Sequence, residues 1–202
     1  GFHGFGLIGT ITTEIHIEQL KAEPIGNLKI KEMPAMAAIH DKKLVQPIGI
    51  FYAKKQNLVI LHVITPVQGL EWDMADMIVK LAEDLQAKEV MSIEGVASPF
   101  ESEETQCFYY CNDAMRKKQF EKLGIQALKE GIILGVSGAL MLQIGKKFPT
   151  SFVFVEAHST LPDSKAAVKF IETLNHYLNL NIETKPLMQQ AEKFEEKLKG
   201  IL

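Results

Sequence analysis

Apolar positions recur along the chain in two rhythms, and the predicted elements change wherever one rhythm gives way to the other. Ile8, Ile11, Ile15 and Leu20 fall near one face of a helix over Leu7–Leu20, led into by a run of glycines. "PIGNLKI" reads as a strand. The stretch "AMAAIHDKKLVQPIGIFYAKKQNLVILHVI" predicts three short strands, around Met36–His40, Ile48–Ala53 and Leu58–Ile64. Asp41-Lys42-Lys43 and Lys54-Lys55-Gln56-Asn57 supply the turns between them. Trp72, Ala75, Ile78, Val79, Ala82 and Leu85 then mark one stripe of a helix running to Gln86. Met74, Met77 and Leu81 widen that stripe, so the helix is covered on two sides.

The second half repeats the alternation. "KEVMSIEGVAS" is a strand, "PFESEETQ" a polar loop, Cys107–Cys111 a strand, and Ala114–Leu123 a helix. "GIILGVSGALMLQIGKK" predicts a hydrophobic strand that turns helical from Gly138, and "SFVFVEA" a short buried strand. Pro162 and Asp163 start a helix whose Ala167, Phe170, Ile171, Leu174, Tyr177 and Leu178 keep helical spacing. Pro186 opens a final helix over 186–199. Strands alternating with helices, with an antiparallel meander inserted early, predict one α/β domain over residues 1–202 with a mixed sheet.

Charge and composition narrow the function classes. A formal net charge of −3 gives no nucleic-acid footprint. Arg116 is the single arginine among 22 Lys plus Arg, so bidentate arginine clamps for phosphate or carboxylate are nearly excluded. No apolar run reaches the roughly 18 to 20 residues of a membrane span, and no signal-peptide pattern is present. Cys107 and Cys111 share a strand that would hold them about 13 Å apart, too far to bridge. Reduced thiols in a cytoplasm follow.

Gly4-Phe5-Gly6-Leu7-Ile8-Gly9 is a literal G-x-G-x-x-G, with Glu32 at a suitable distance downstream. A dinucleotide fold needs a third parallel strand after another crossover helix, and here a β meander follows instead. The glycines therefore read as a tight turn with close helix–sheet packing. Anion binding by free backbone N–H groups at Gly4, Gly6 and Gly9, and at Gly138, stays open. Ser137 precedes His158 and Asp163, but G-x-S-x-G is incomplete and the order is not that of a hydrolase triad. On a helix His16 points away from Glu14 and Glu18, so that trio is no metal site. Asp73 and Asp76 cap a helix start; Glu101, Glu103 and Glu104 form a solvated loop. No catalytic residue, metal site or cofactor is expected. Leu187, Ala191, Phe194, Leu198 and Ile201 follow a 4-3-4-3 spacing, a coiled-coil-like seam that covers either its own domain or another subunit.

The glycine series Gly1, Gly4, Gly6, Gly9 resembles the opening of the proteasome assembly chaperone family, the archaeal and actinobacterial relatives of the second eukaryotic proteasome-assembling chaperone. Met33-Pro34 with His40-Asp41, Pro47-Ile48-Gly49-Ile50, Gly135-Val136-Ser137-Gly138-Ala139-Leu140, Leu161-Pro162-Asp163 with Ala166-Ala167, and Pro186-Leu187 with Ala191-Glu192 continue the resemblance in order along the chain. It implies a three-layer α/β/α domain similar to the phosphorylase/hydrolase-like fold and a homo-oligomer. It further implies ATP-independent help in building the proteasome α-ring through contacts with α subunits. The competing expectation is an enzyme for a small phosphorylated or nucleoside-like ligand held at the glycine-rich helix starts.

Overall fold

A computed structural model describes residues 5–33, 35–40, 42–97, 105–145, 147–157 and 162–189. A 3-10 turn at Phe5–Leu7 leads into helix α1 (Ile8–Gln19), strand β1 (Glu23–Asn27) and the short strands β2 (Ala38–His40) and β3 (Lys43–Val45). Then come β4 (Ile48–Ala53), β5 (Leu58–Val63), α2 (Glu71–Asp84), β6 (Val90–Ala97), β7 (Cys107–Cys111) and α3 (Ala114–Lys122). β8 (Gln126–Ala127), α4 (Gly135–Ile144), β9 (Thr150–Ala157) and α5 (Ser164–Leu178) follow, and residues 185–189 are helical again.

β9 carries the architecture. Its side chains alternate between two cores: Val153, Val155 and Ala157 join α1, α3 and α5, while Phe152 and Phe154 join α2 and α4. A strand covered by helices on both faces reads as a continuous apolar run, which is what "SFVFV" is. The expected three-layer α/β/α arrangement results. Around β9 the sheet is mixed, in the order β6-β9-β7-β8, with β6 and β9 parallel and β7 antiparallel to β9. β1, β4 and β5 form a separate antiparallel sheet. Among the described residues, no helix is long and apolar enough to cross a membrane.

Two helix starts are fixed by carboxylate caps. Asp113 Oδ1 accepts from the N–H groups of Met115 and Arg116 at 3.1 and 3.0 Å. Asp163 Oδ1 accepts from the Ala166 N–H at 2.9 Å. Each satisfies backbone donors that the first helical turn leaves unpaired.

Several elements differ from the sequence expectation. Lys43, predicted in a turn, is a strand residue: Lys43–Val45 pairs back on Ala38–His40 as a hairpin of its own, and Lys42 takes φ +62°, while Asp41 lies outside the described residues. A three-residue strand is too short to show alternation. The predicted hydrophobic strand before Gly138 is absent, since α4 already starts at Gly135. Val136, Ala139, Leu140 and Ile144 are its buried apolar residues, at helical spacing, and that spacing outweighs the β-branched run before them. Ile132 and Leu134 are left 88% and 76% exposed. On α1 only Ile8 of the isoleucine stripe is fully buried, while Ile11 and Ile15 are partly covered; Thr12, Thr13 and His16 are buried on the neighbouring face. α5 packs on one side of α1 and the sheet takes the other, so a polar face is pressed against β5 and β6.

Candidate functional site

The glycine-rich start of α1 is locked to the start of α5. Gly6 has φ +64°, and its carbonyl oxygen accepts from the Asp163 N–H at 3.0 Å. A Cβ built on Gly6 would lie 3.0 Å from the Asp163 Cβ and 3.2 Å from the Ala157 Cβ. Gly9 is buried one turn on; Gly4 lies outside the described residues. At α4 a Cβ on Gly138 would stand 2.5 Å from the Ile133 carbonyl oxygen, so the preceding segment folds onto the first turn of that helix. Both described helix starts are places where backbone approaches backbone.

Ser137 is buried on α4, with its Oγ 2.9 Å from that of Ser92 on β6. The carboxyl of Glu94 is pushed above the ordinary range by burial, partly offset by a hydrogen bond with Ser137. His158 lies outside the described residues, and Asp163 caps α5. No serine, base and acid are therefore brought together among the described residues. His16 is buried with Nδ1 2.7 Å from the Thr12 carbonyl oxygen. Among the described residues, no group of three or more His, Cys, Asp or Glu could hold a metal ion. Cys107 and Cys111 are free thiols, both pushed upward in pKa by burial.

Leu187, the first residue of the predicted seam, is buried in the protomer's own core, with Met188 packed beside it. At this position the seam serves its own domain, because the chain after α5 turns back across the helices: Asn175 bonds both the N–H and the carbonyl of Ile182. Ala191, Phe194, Leu198 and Ile201 lie outside the described residues.

Exposed apolar surface is what sequence reasoning missed. Ile39 and Leu44 face each other across the β2–β3 pair, 78% and 65% exposed. Trp72 on α2, Leu142 on α4, and Ile132 and Leu134 just ahead of α4 are exposed too. α2 and α4 pack together on one side of the sheet. Leu28, Ile30 and Met33, in the segment ahead of the hairpin, pack into that same core. Exposed apolar side chains that join into one patch mark a surface that binds protein. Ile39 and Leu44 each sit in a three-residue strand, too short to show any alternation, which hid them.

Comparison with known proteins gives this geometry a context. The PAC2 family model matches residues 1–202. An uncharacterized protein of Methanocaldococcus jannaschii is 25% identical over 207 residues, covering 99% of this chain and 82% of its own length. The crystal structure of Pyrococcus furiosus PbaA, described as an archaeal homolog of proteasome-assembly chaperone, is similar with a TM-score of 0.89 and 28% identity. That match spans 98% of this chain and 83% of PbaA. Pyrococcus furiosus PbaB, an archaeal proteasome activator, is similar in fold with a TM-score of 0.84 at 20% identity, over 98% of this chain and 89% of its own.

Proposed function

Because the chain belongs to the PAC2 family, we propose that it is an ATP-independent assembly chaperone-like protein that works by protein–protein contact and not by catalysis. Its client class is the proteasome α subunit. The observation that carries this reading is the 28% identity with PbaA across 98% of the chain, at a TM-score of 0.89. The exposed Ile39, Leu44 and Leu142 support it by offering apolar contact area to a client.

The reading extends to a homo-oligomer in the cytoplasm. The sequence seam from Ala191 through Phe194 and Leu198 to Ile201 offers a face for a second subunit, and two free thiols suit a reducing compartment. Gly6 and Gly138 serve as packing glycines, a role supported by the close approaches at both. Affinity capture of the tagged chain from its own cells, followed by mass spectrometry, tests the client: recovery of α-type proteasome subunits is expected. Their absence from the capture counts against the proposal.

A further inference from the structure

The two sheets are divided along the line that α1 covers. β5 pairs with β4 and β6 pairs with β9, while α1 touches both β5 and β6. Between them opens a cleft of about 450 Å³. Val59, Leu81, Leu85, Met91 and Leu178 give it apolar walls, and Thr12 and His16 line it from α1. Thr12 is 0% and His16 3% exposed, yet the Thr12 hydroxyl and His16 Nε2 have no hydrogen-bond partner among the described residues. The two residues stand four apart on one helix face. His16 Nδ1 faces the Thr12 carbonyl oxygen at 2.7 Å. A carbonyl only accepts, so Nδ1 carries the proton and Nε2 presents a lone pair. Burial lowers the His16 pKa and keeps the ring neutral.

An unpartnered hydroxyl and an unpartnered imidazole nitrogen both weaken a fold when buried. Valine would fill the space of Thr12 without that cost. The two groups form a matched pair, one giving a hydrogen and the other taking one, on two residues that line an apolar cleft. Pockets of this volume, mostly apolar with a few converging polar atoms, are the usual form of a small-molecule site.

We propose that this cleft binds a small aliphatic molecule ending in a neutral carboxamide-type head. The head's N–H donates to His16 Nε2, its carbonyl oxygen accepts from the Thr12 hydroxyl, and its tail lies along Leu81, Leu85 and Met91. A carboxylate is disfavoured at this pair, because it has no N–H to donate to His16 Nε2; the lysine that lines the cleft is Lys88. Glu89, which also lines the cleft, is already held by Tyr177, Ser151 and Arg116.

Octanamide titrated into the intact protein, followed by calorimetry, is the test. Saturable one-to-one binding is expected, with sodium octanoate weaker. Thr12→Val, which keeps the shape, weakens octanamide about fivefold to tenfold, the worth of one hydrogen bond, while melting no lower than wild type. Methyl octanoate, which lacks the donor, binds more weakly by a similar factor, and Leu81→Trp at the cleft wall abolishes binding. Independently of any variant, octanamide methylenes should give nuclear Overhauser contacts to the Thr12 methyl. No saturable binding, equal affinity for Thr12→Val, tighter binding of octanoate, or no contact to the Thr12 methyl overturns the proposal.

Discussion

The Tyr177 hydroxyl donates a 2.8 Å hydrogen bond to Glu89 Oε1, fastening α5 to the start of β6. The same oxygen accepts from the Ser151 hydroxyl at 2.6 Å, and Arg116 Nε donates to the other at 3.4 Å. The Tyr177 ring stacks on Phe120 at 4.2 Å between centroids, and Phe120 stacks on Tyr109 at 4.6 Å. One side chain thus joins a polar clamp to an aromatic column across three elements.

Tyr177→Phe removes the hydroxyl and keeps the column. A hydrogen bond to a charged acceptor contributes about 1.5 to 3 kcal/mol, and Glu89 retains its other partners, so a loss near the lower figure is expected. Urea unfolding measures it. An unchanged midpoint would show that the clamp contributes nothing.

Gly6→Ala forces a side chain into left-handed backbone and against Asp163 and Ala157. Left-handed strain of about 1 to 2 kcal/mol adds to overpacking of about 1 to 3 kcal/mol. The melting temperature should fall by several degrees with no ligand present. A variant as stable as wild type would remove the packing explanation for the opening glycines.

That double demand on Gly6 explains what the sequence could reveal and what it could not. Gly6 and Gly9, the Asp163 cap and the Phe170–Leu174–Tyr177 stripe are local signals, and the structure follows them. The polar face of α1 was hidden because burial of Thr12 and His16 is decided by where β5 and β6 part, a long-range matter. Isoleucine spacing drew attention to the other face instead. β3 and the exposed Ile132–Leu134 segment failed for a related reason. Three or four residues of β-type composition carry no information about whether a partner strand or a helix layer lies beside them.

Stability should fall on acidification. Burial pushes His62 down from 6.5 to about 4, and His16 is lowered in the same way. The unfolded chain therefore takes up these protons first. The histidine contribution is complete above pH 6.5 and is lost as pH falls toward 4. Glu94, raised by burial, runs the other way and favours folding at low pH. The histidines outnumber it, so the urea midpoint should drop between pH 7 and pH 5. For His62 alone the loss is about 2 kcal/mol. His62→Gln should flatten the profile; a wild-type midpoint that rises toward pH 5 contradicts this account.

Phe194→Asp tests the homo-oligomer. Burying one such side chain contributes about 1.5 to 3 kcal/mol, so a charge there should lower the assembled mass in light scattering while circular dichroism stays that of a folded protomer. A variant that keeps wild-type mass places the seam away from the subunit contact. One that fails to fold assigns it to the protomer's own core, as at Leu187.

The central claim is contact with a proteasome α subunit without catalysis. Native mass spectrometry of the purified chain mixed with purified α subunits, with no nucleotide added, measures that contact directly. The account predicts a complex containing both proteins, and its depletion when Ile39 and Leu44 are both changed to Asp. A spectrum holding only the separate proteins, at concentrations where the chain is folded and assembled, would contradict it.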